Sequence, residues 1–174
     1  PHLHLCLQSA SERVLLAMRR QYTYSAYQRI VRSLRERDPF FNVTTDIIVG
    51  FPGETNEDFQ CTLAALHRAA YGDVFAFAYS PRPKAAASLL PDDVPRPEKI
   101  RRLEAVIQTQ KEYTRLAMTR HVGEEREILV EGKSRYDPKN FSGRTRDNIL
   151  VHFPQEMPAG SICSVLIHEA GTHS

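Results

Sequence analysis

The residues best suited to chemistry fall in three stretches. The first, Thr45-Asp46-Ile47-Ile48-Val49-Gly50-Phe51-Pro52-Gly53-Glu54-Thr55, reads as a buried strand that delivers Asp46 inside a sheet and then turns on glycines. Gly50 and Gly53 allow the backbone to approach a flat ligand closely, and Glu54 stands just before a helix N-terminus. The second, Phe77-Ala78-Tyr79-Ser80-Pro81-Arg82-Pro83, fixes its backbone with prolines and presents Arg82, whose guanidinium suits a carboxylate or a phosphate. The third covers residues 141–153. There Arg144 and Arg146 alternate and would share one strand face, with aromatics nearby for base stacking and Lys133 and Arg135 upstream. Each stretch also has a plain structural reading: a tight turn, a solvated loop and a mixed-charge solvent face.

Other constellations are weaker. Ser9, Ser11, His2 and His4 make neither a nucleophile elbow nor a zinc motif, and a His-x-His pair on a strand reads as structural. Cys6, Cys61 and Cys163 are far apart, with no CxxC, CxxxCxxC or Cys/His ligand spacing, so the expectation is buried free thiols and no metal site. Cys61 is expected on a helix, Cys6 and Cys163 on strands.

The elements that must position these residues follow from periodicity. Residues 3–7 alternate as a short strand, and Ser9 and Glu12 stand at capping-box spacing before Val14, Leu15 and Met18. Tyr24, Tyr27, Ile30, Val31 and Leu34 predict a second helix ending before Pro39. Residues 42–49 read as a strand buried on both faces. Thr55 and Asp58 form a capping box that opens a helix with a Phe59, Leu63, Leu66 stripe, and a further strand covers 73–79. This alternation argues for parallel βα units, whose ligand loops lie at the C-terminal strand ends. Residues 84–97 read as an exposed connection. Pro97 begins a long helix whose buried side is expected to be Ile100, Leu103, Ile107, Tyr113 and Leu116. Past Gly123, short apolar runs at 128–130, 149–151 and 165–167 predict a small all-β barrel, with a domain boundary near 121–123.

Bulk properties exclude little. The 174 residues are 41% hydrophobic and 25% charged, which suits a globular chain of one domain or two small ones. The net charge of +2 does not by itself argue for nucleic acid. Locally, residues 95–121 carry seven Lys/Arg against three Asp/Glu, whereas 122–174 carry six against eight. No apolar run is long enough to span a bilayer, so no membrane partner and a cytoplasmic location are expected. The chain opens inside an alternating strand pattern, as a fragment would.

Taken together, His2-Leu3-His4-Leu5 with Gln8-Ser9, the run 45–55, Tyr79-Ser80-Pro81-Arg82-Pro83 and Ser142-Gly143-Arg144-Thr145-Arg146 resemble the radical S-adenosylmethionine methylthiotransferases, in family order and over nearly the whole chain. The resemblance implies an α/β fold: 1–121 as the C-terminal half of a radical-SAM, TIM-like (βα) barrel, and 122–174 as a TRAM (OB-like) RNA-binding barrel. The 142–153 tail is similar to the MiaB type, which adds a methylthio group to C2 of N6-isopentenyladenosine beside the anticodon. It implies S-adenosylmethionine and two 4Fe-4S clusters as cofactors, and as partners the tRNA anticodon stem-loop and an N-terminal cluster-binding half.

By the same resemblance, Gln8, Ser9, Ser11, Asp46, Ile48, Gly50, Glu54, Tyr79 and Arg82 would bind cofactor. Lys133, Arg135, Phe141, Arg144, Arg146 and Asn148 would bind RNA. No catalytic residue and no cluster ligand is implied in these residues, so the chain alone is expected to be inactive and free of clusters. Departures are Ala10 where the family has Gly, and Lys84-Ala85 where it has Gly-Thr. An open half-barrel would expose strand edges and favour self-association. The competing readings are action on threonylcarbamoyladenosine tRNA or on a ribosomal protein, or a non-catalytic RNA-binding module.

Overall fold

The computed structural model describes residues 1–83, 85–135 and 137–171; Lys84, flagged by the sequence, lies outside them. Strands β1 (His2–His4), β2 (Asn42–Val49) and β3 (Asp73–Ala78) form one sheet in that order, with β2 at its centre. β2 and β3 run parallel, in a register that sets Asp46 beside Phe75 and Ile48 beside Phe77. Helices α1 (Glu12–Ala17), α2 (Tyr24–Arg37), α3 (Asn56–Ala69) and α4 (Arg96–Thr119) accompany it. Strands β4 (Glu125–Lys133), β5 (Phe141–Thr145), β6 (Leu150–Phe153) and β7 (Ile162–Leu166) form a separate antiparallel sheet, ordered β6-β5-β4-β7. By contact density the chain divides into two compact units: 4–39 with 43–114, and 115–174 with 1–3 and 40–42.

The first unit is built as its sequence dictates around β2. Alternation sends Val43, Thr45, Ile47 and Val49 to one face, where all are buried, while Asp46 and Ile48 on the other face stay half-buried. The expected α3 capping box is present: Thr55 Oγ1 accepts from Asp58 N at 3.3 Å and Asp58 Oδ2 accepts from Thr55 N at 2.8 Å. Phe59, Ala65 and Leu66 of α3 are fully buried.

Several expectations need correction. The first strand spans three residues, not 3–7. Cys6 falls in the irregular segment after it, and only Gln8 returns to the sheet, through a parallel bridge to Ile47. The first helix is capped by Ser11, whose side chain accepts from Val14 N, and not by Ser9. None of the three thiols is buried, and Cys61 is exposed because α3 turns Thr62, Ala65 and Leu66 inward instead. On α2, Ile30 is 47% exposed while Tyr27 and Val31 are buried. The largest error concerns α4: its buried face carries Lys99, Arg102, Val106 and Gln110, while Ile100, Ile107 and Leu116 are exposed. Polar partners, not apolar periodicity, set that face. Gln110 Nε2 donates to the Tyr71 carbonyl at 2.9 Å, and Lys99 and Arg102 are both paired.

In the second sheet Ile128, Val130 and Phe153 form the core, with Phe141, Val151, Met157, Cys163 and Val165 packed against them. Arg146 lies just past the end of β5 at Thr145, so Arg144 and Arg146 do not share one strand. Gly143 faces Val130 across the β4–β5 ladder, and a Cβ there would come within 2.7 Å of the Leu129 carbonyl oxygen. Backbone cannot give way cheaply at such a distance. Gly143→Ala is therefore expected to cost about 1–3 kcal/mol, read as a lower urea midpoint with an unchanged m-value.

Candidate cofactor and RNA sites

The turn after β2 is organised by one carboxylate. Glu54 lies 4% exposed, and its Oε2 accepts from Gly50 N at 2.5 Å and from Arg102 Nη1 at 2.8 Å. Arg102, itself 5% exposed, also donates to the Glu54 carbonyl at 3.0 Å and through Nε to Glu98 at 2.7 Å, and its guanidinium lies 5.5 Å from the Phe59 ring. Burial pushes the Glu54 carboxyl up, and the Gly50 amide and Arg102 pull it only partly back. Gly50 sits at φ +69°, and a Cβ there would come within 2.4 Å of Lys99 Cγ, so the close approach that glycine permits is made by Lys99.

The loop after β1 is tied to the same corner. Gln8, at φ 69°, is buried. Ser9 Oγ lies 3.4 Å from Thr62 Oγ1, and Ser11 Oγ donates to Asp58 at 2.5 Å, so both hydroxyls are engaged inside the protein. Burial pushes the Asp58 carboxyl up, but hydrogen bonds from Arg13, Ser11 and Thr55 outweigh it and hold the group at about 2. Tyr79 Oη donates to the Ala87 carbonyl at 3.0 Å, its ring meets Phe51 edge-on, and Arg82 is exposed.

The open face of the first sheet supplies what these loops do not. Asp46 and Ile48 lie there beside Phe75 and Phe77, which are 48% and 51% exposed. An apolar, partly aromatic floor with one carboxylate fits an adenosyl group in kind: rings on the apolar surface, a hydroxyl or amino group on Asp46. The two phenylalanines were absent from the sequence-based set, although their i, i+2 spacing within β3 already put them on one face. His4 and Cys6 were also missed as a site. His4 Nε2 lies 3.4 Å from Asp46, the Cys6 thiol donates to Asp46 at 3.3 Å, and Cys6 Sγ lies 3.3 Å from His4 Nε2. Their grouping depends on strand pairing across forty positions. Burial, and then Asp46, push the Cys6 thiol up, which makes it a poor nucleophile.

Two arginines of the RNA set, Arg144 and Arg146, have acidic partners. Arg144 pairs with Glu131 at 3.0 Å and donates to Asn148 Oδ1 at 3.3 Å, and Arg146 pairs with Glu127 at 3.2 Å. Asn148 takes φ 63° in the turn that presents them. Phe141 stacks at a tilt on Phe153, 6.3 Å between centroids, within the core, while Lys133 and Arg135 are exposed. Pairs this exposed are worth about 0–1 kcal/mol, so a phosphate can displace the glutamates cheaply. Beside them a cleft of about 440 Å³ is lined in part by His121, Arg126, His152, Phe153 and His168.

Two consequences are measurable. Arg102→Met leaves Glu54 buried without its cation and is expected to cost about 3–5 kcal/mol, whereas Arg101→Met, at the exposed pair with Glu98, should cost under about 1 kcal/mol; equal urea midpoints for the two would refute the assignment. Because Asp58 titrates lower in the folded chain than its ordinary 3.8, its contribution is present above that pH and is lost as pH falls toward about 2. Asp58→Asn should therefore flatten the fall in stability between pH 4 and pH 2, followed by urea unfolding at each pH.

Residues 1–66 match the Radical SAM superfamily, and residues 119–174 match the TRAM domain. The tRNA-2-methylthio-N(6)-dimethylallyladenosine synthase of Burkholderia multivorans is 44% identical over 178 aligned residues, covering 99% of this chain and 39% of that protein. The proteins of the same name from Burkholderia ambifaria and Burkholderia mallei are 43% identical with the same coverage. By sequence the chain is thus similar along nearly its whole length to these synthases, with a Radical SAM match followed by a TRAM match, and it spans about two fifths of their length.

Proposed function

We propose that this chain supplies part of the S-adenosylmethionine pocket and the tRNA grip of a methylthiotransferase that modifies C2 of N6-isopentenyladenosine beside the anticodon. The observation that carries the reading is the similarity itself: 44% identity to one such synthase along 99% of the chain, through both matched domains. In this reading the first unit is part of a (βα) barrel, 122–174 is a small RNA-binding barrel, and the protein works in the cytoplasm. The finer details, two 4Fe-4S clusters and an anticodon stem-loop substrate held against another, cluster-bearing part of the enzyme, belong to the same proposal. No helix among the described residues is long and apolar enough to cross a membrane.

When bound, S-adenosylmethionine with a 4Fe-4S cluster would supply the radical chemistry that an unactivated C–H bond requires and the methyl group for transfer. The chain's own part is binding and exclusion. Ile48, Phe75 and Phe77 offer the apolar floor, and Asp46 offers an acceptor beside it. Gln8, Ser9, Ser11, Gly50 and Glu54 hold the loops around that floor through internal hydrogen bonds and turn geometry, so their role is to shape the pocket. Tyr79 and the exposed Arg82 stand on the loop that follows β3. In the second sheet Lys133, Arg135, Arg144 and Arg146 would contact phosphates, Asn148 would hold the arginine-bearing turn, and Phe141 would brace the sheet beneath them.

The test is mass spectrometry of tRNA nucleosides from cells lacking the full-length gene, with and without complementation. Loss of the methylthio group from the isopentenyladenosine pool, restored on complementation, is the expected result. An unchanged pool would overturn the substrate assignment and direct attention to threonylcarbamoyladenosine and then ribosomal protein.

A further inference from the structure

We propose that His4, Cys6 and Asp46 form a mononuclear site for a zinc-class divalent cation on the open face of the first sheet. Among the described residues these are the side chains gathered as a metal-ligating group of three. Cys6 Sγ lies 3.3 Å from His4 Nε2 and 3.3 Å from Asp46 Oδ2, while the other carboxylate oxygen, Oδ1, lies 3.4 Å from His4 Nε2. Tetrahedral zinc, with Zn–S near 2.3 Å and Zn–N and Zn–O near 2.0–2.2 Å, separates its ligand atoms by about 3.3–3.6 Å. Each contact therefore already has the length of one edge of a coordination tetrahedron, and with one donor atom per residue all three lie within 4.8 Å of one another, close enough for one ion to draw them together.

The ligands are also held in place. His4 Nδ1 lies 2.9 Å from Thr44 Oγ1, and Thr44 is buried; donation from Nδ1–H to that oxygen leaves the Nε2 lone pair facing the group. Cys6 is fixed on both sides by the sheet, since Leu5 N donates to the Thr44 carbonyl and Gln8 N donates to the Asp46 carbonyl, each at 2.8 Å. Tyr22 Oη donates to the Cys6 carbonyl at 3.1 Å, and the Phe75 ring packs edge-on against the His4 ring at 5.7 Å.

Donor chemistry selects the ion. A thiolate, an imidazole and a carboxylate suit zinc and its transition-metal neighbours, whereas magnesium and calcium favour oxygen alone. The thiolate and carboxylate neutralise a 2+ charge. His4 and Asp46 side chains are 38% and 28% exposed, so a fourth position stays open to water or an exogenous ligand, as in catalytic zinc sites. The proposal moves Asp46 from the adenosyl floor to the cation, and otherwise does not rest on the reading above.

The experiment is a titration of the reduced, metal-free chain with Co²⁺, a spectroscopic substitute for zinc. One Co²⁺ per chain is expected, with a thiolate-to-cobalt charge-transfer band and the strong visible bands of four-coordinate cobalt, both bleached by Zn²⁺. Cys6→Ser should abolish the charge-transfer band with circular dichroism unchanged, while Cys61→Ser and Cys163→Ser keep it. Thr44→Val should keep the band and weaken binding roughly 10–100-fold, which provides a readout that retains all three ligands. A band that survives in Cys6→Ser, or no thiolate-ligated Co²⁺ in the folded wild-type chain, would overturn the proposal. Because no S-adenosylmethionine or tRNA takes part, either result leaves the methylthiotransferase reading to its own test.

Discussion

A carboxylate and a guanidinium, both almost without solvent, hold the corner on which the candidate pocket is built. Glu54 cannot ionise comfortably at 4% exposure without a cation, and Arg102 from α4 provides it at 2.8 Å. That pairing fixes more than two side chains. The same oxygen of Glu54 receives the Gly50 amide, which closes the turn after β2, and the same guanidinium reaches the Glu54 carbonyl at the approach to α3. A turn rich in glycine would otherwise sample many conformations, at an entropic cost on ordering that glycine makes largest. Here a buried charge pair confines it, and Lys99 fills the space that Gly50 leaves open.

This constraint explains why α4 turns an unexpected face inward. An apolar stripe at helical spacing ordinarily wins the core, and Ile100, Leu103 and Ile107 form such a stripe. Yet once Glu54 is buried, leaving it unpaired would cost about 3–5 kcal/mol, whereas Ile100 and Ile107, 41% and 40% exposed, forgo only part of the about 1.5–3 kcal/mol that full burial of each would give. Tyr71 adds to the demand, because its backbone carbonyl takes its hydrogen bond from Gln110. The helix therefore rotates its polar residues toward the strand ends.

What could be read from the sequence divides along the same line. β2, α3 and its capping box were legible because local rules fix them: β-branched residues in a row, and Thr55 and Asp58 three apart. The first helix start was misread because both Ser9 and Ser11 can cap, and the choice was made by Thr62 and Asp58, some fifty positions later. A strand bearing Arg144 was expected, but its end at Thr145, which leaves Arg146 outside it, could not be read from the alternation alone. In the candidate site, Asp46 was visible as a carboxylate on a buried strand. Its neighbours His4, Cys6 and Phe75 were not, since strand register alone brings them together.

The two halves of the proposed function also differ in how charge is arranged. In the second unit Arg144 and Arg146 already have exposed glutamates, so binding a phosphate there exchanges one weak pair for another and releases an acidic side chain to solvent. Such a face gains little from charge alone, and its grip on RNA must draw on shape and on contacts beyond phosphates. On the first sheet the situation is reversed. Asp46 lies half-buried beside half-exposed phenylalanines, 3.4 Å from an imidazole nitrogen and 3.3 Å from a thiol. A 2+ cation bound there would be neutralised by the thiolate and the carboxylate together and would leave the aromatic floor apolar. The electrostatics of the pocket thus turn on what Asp46 holds, more than on any residue of the glycine-rich turn that first draws the eye.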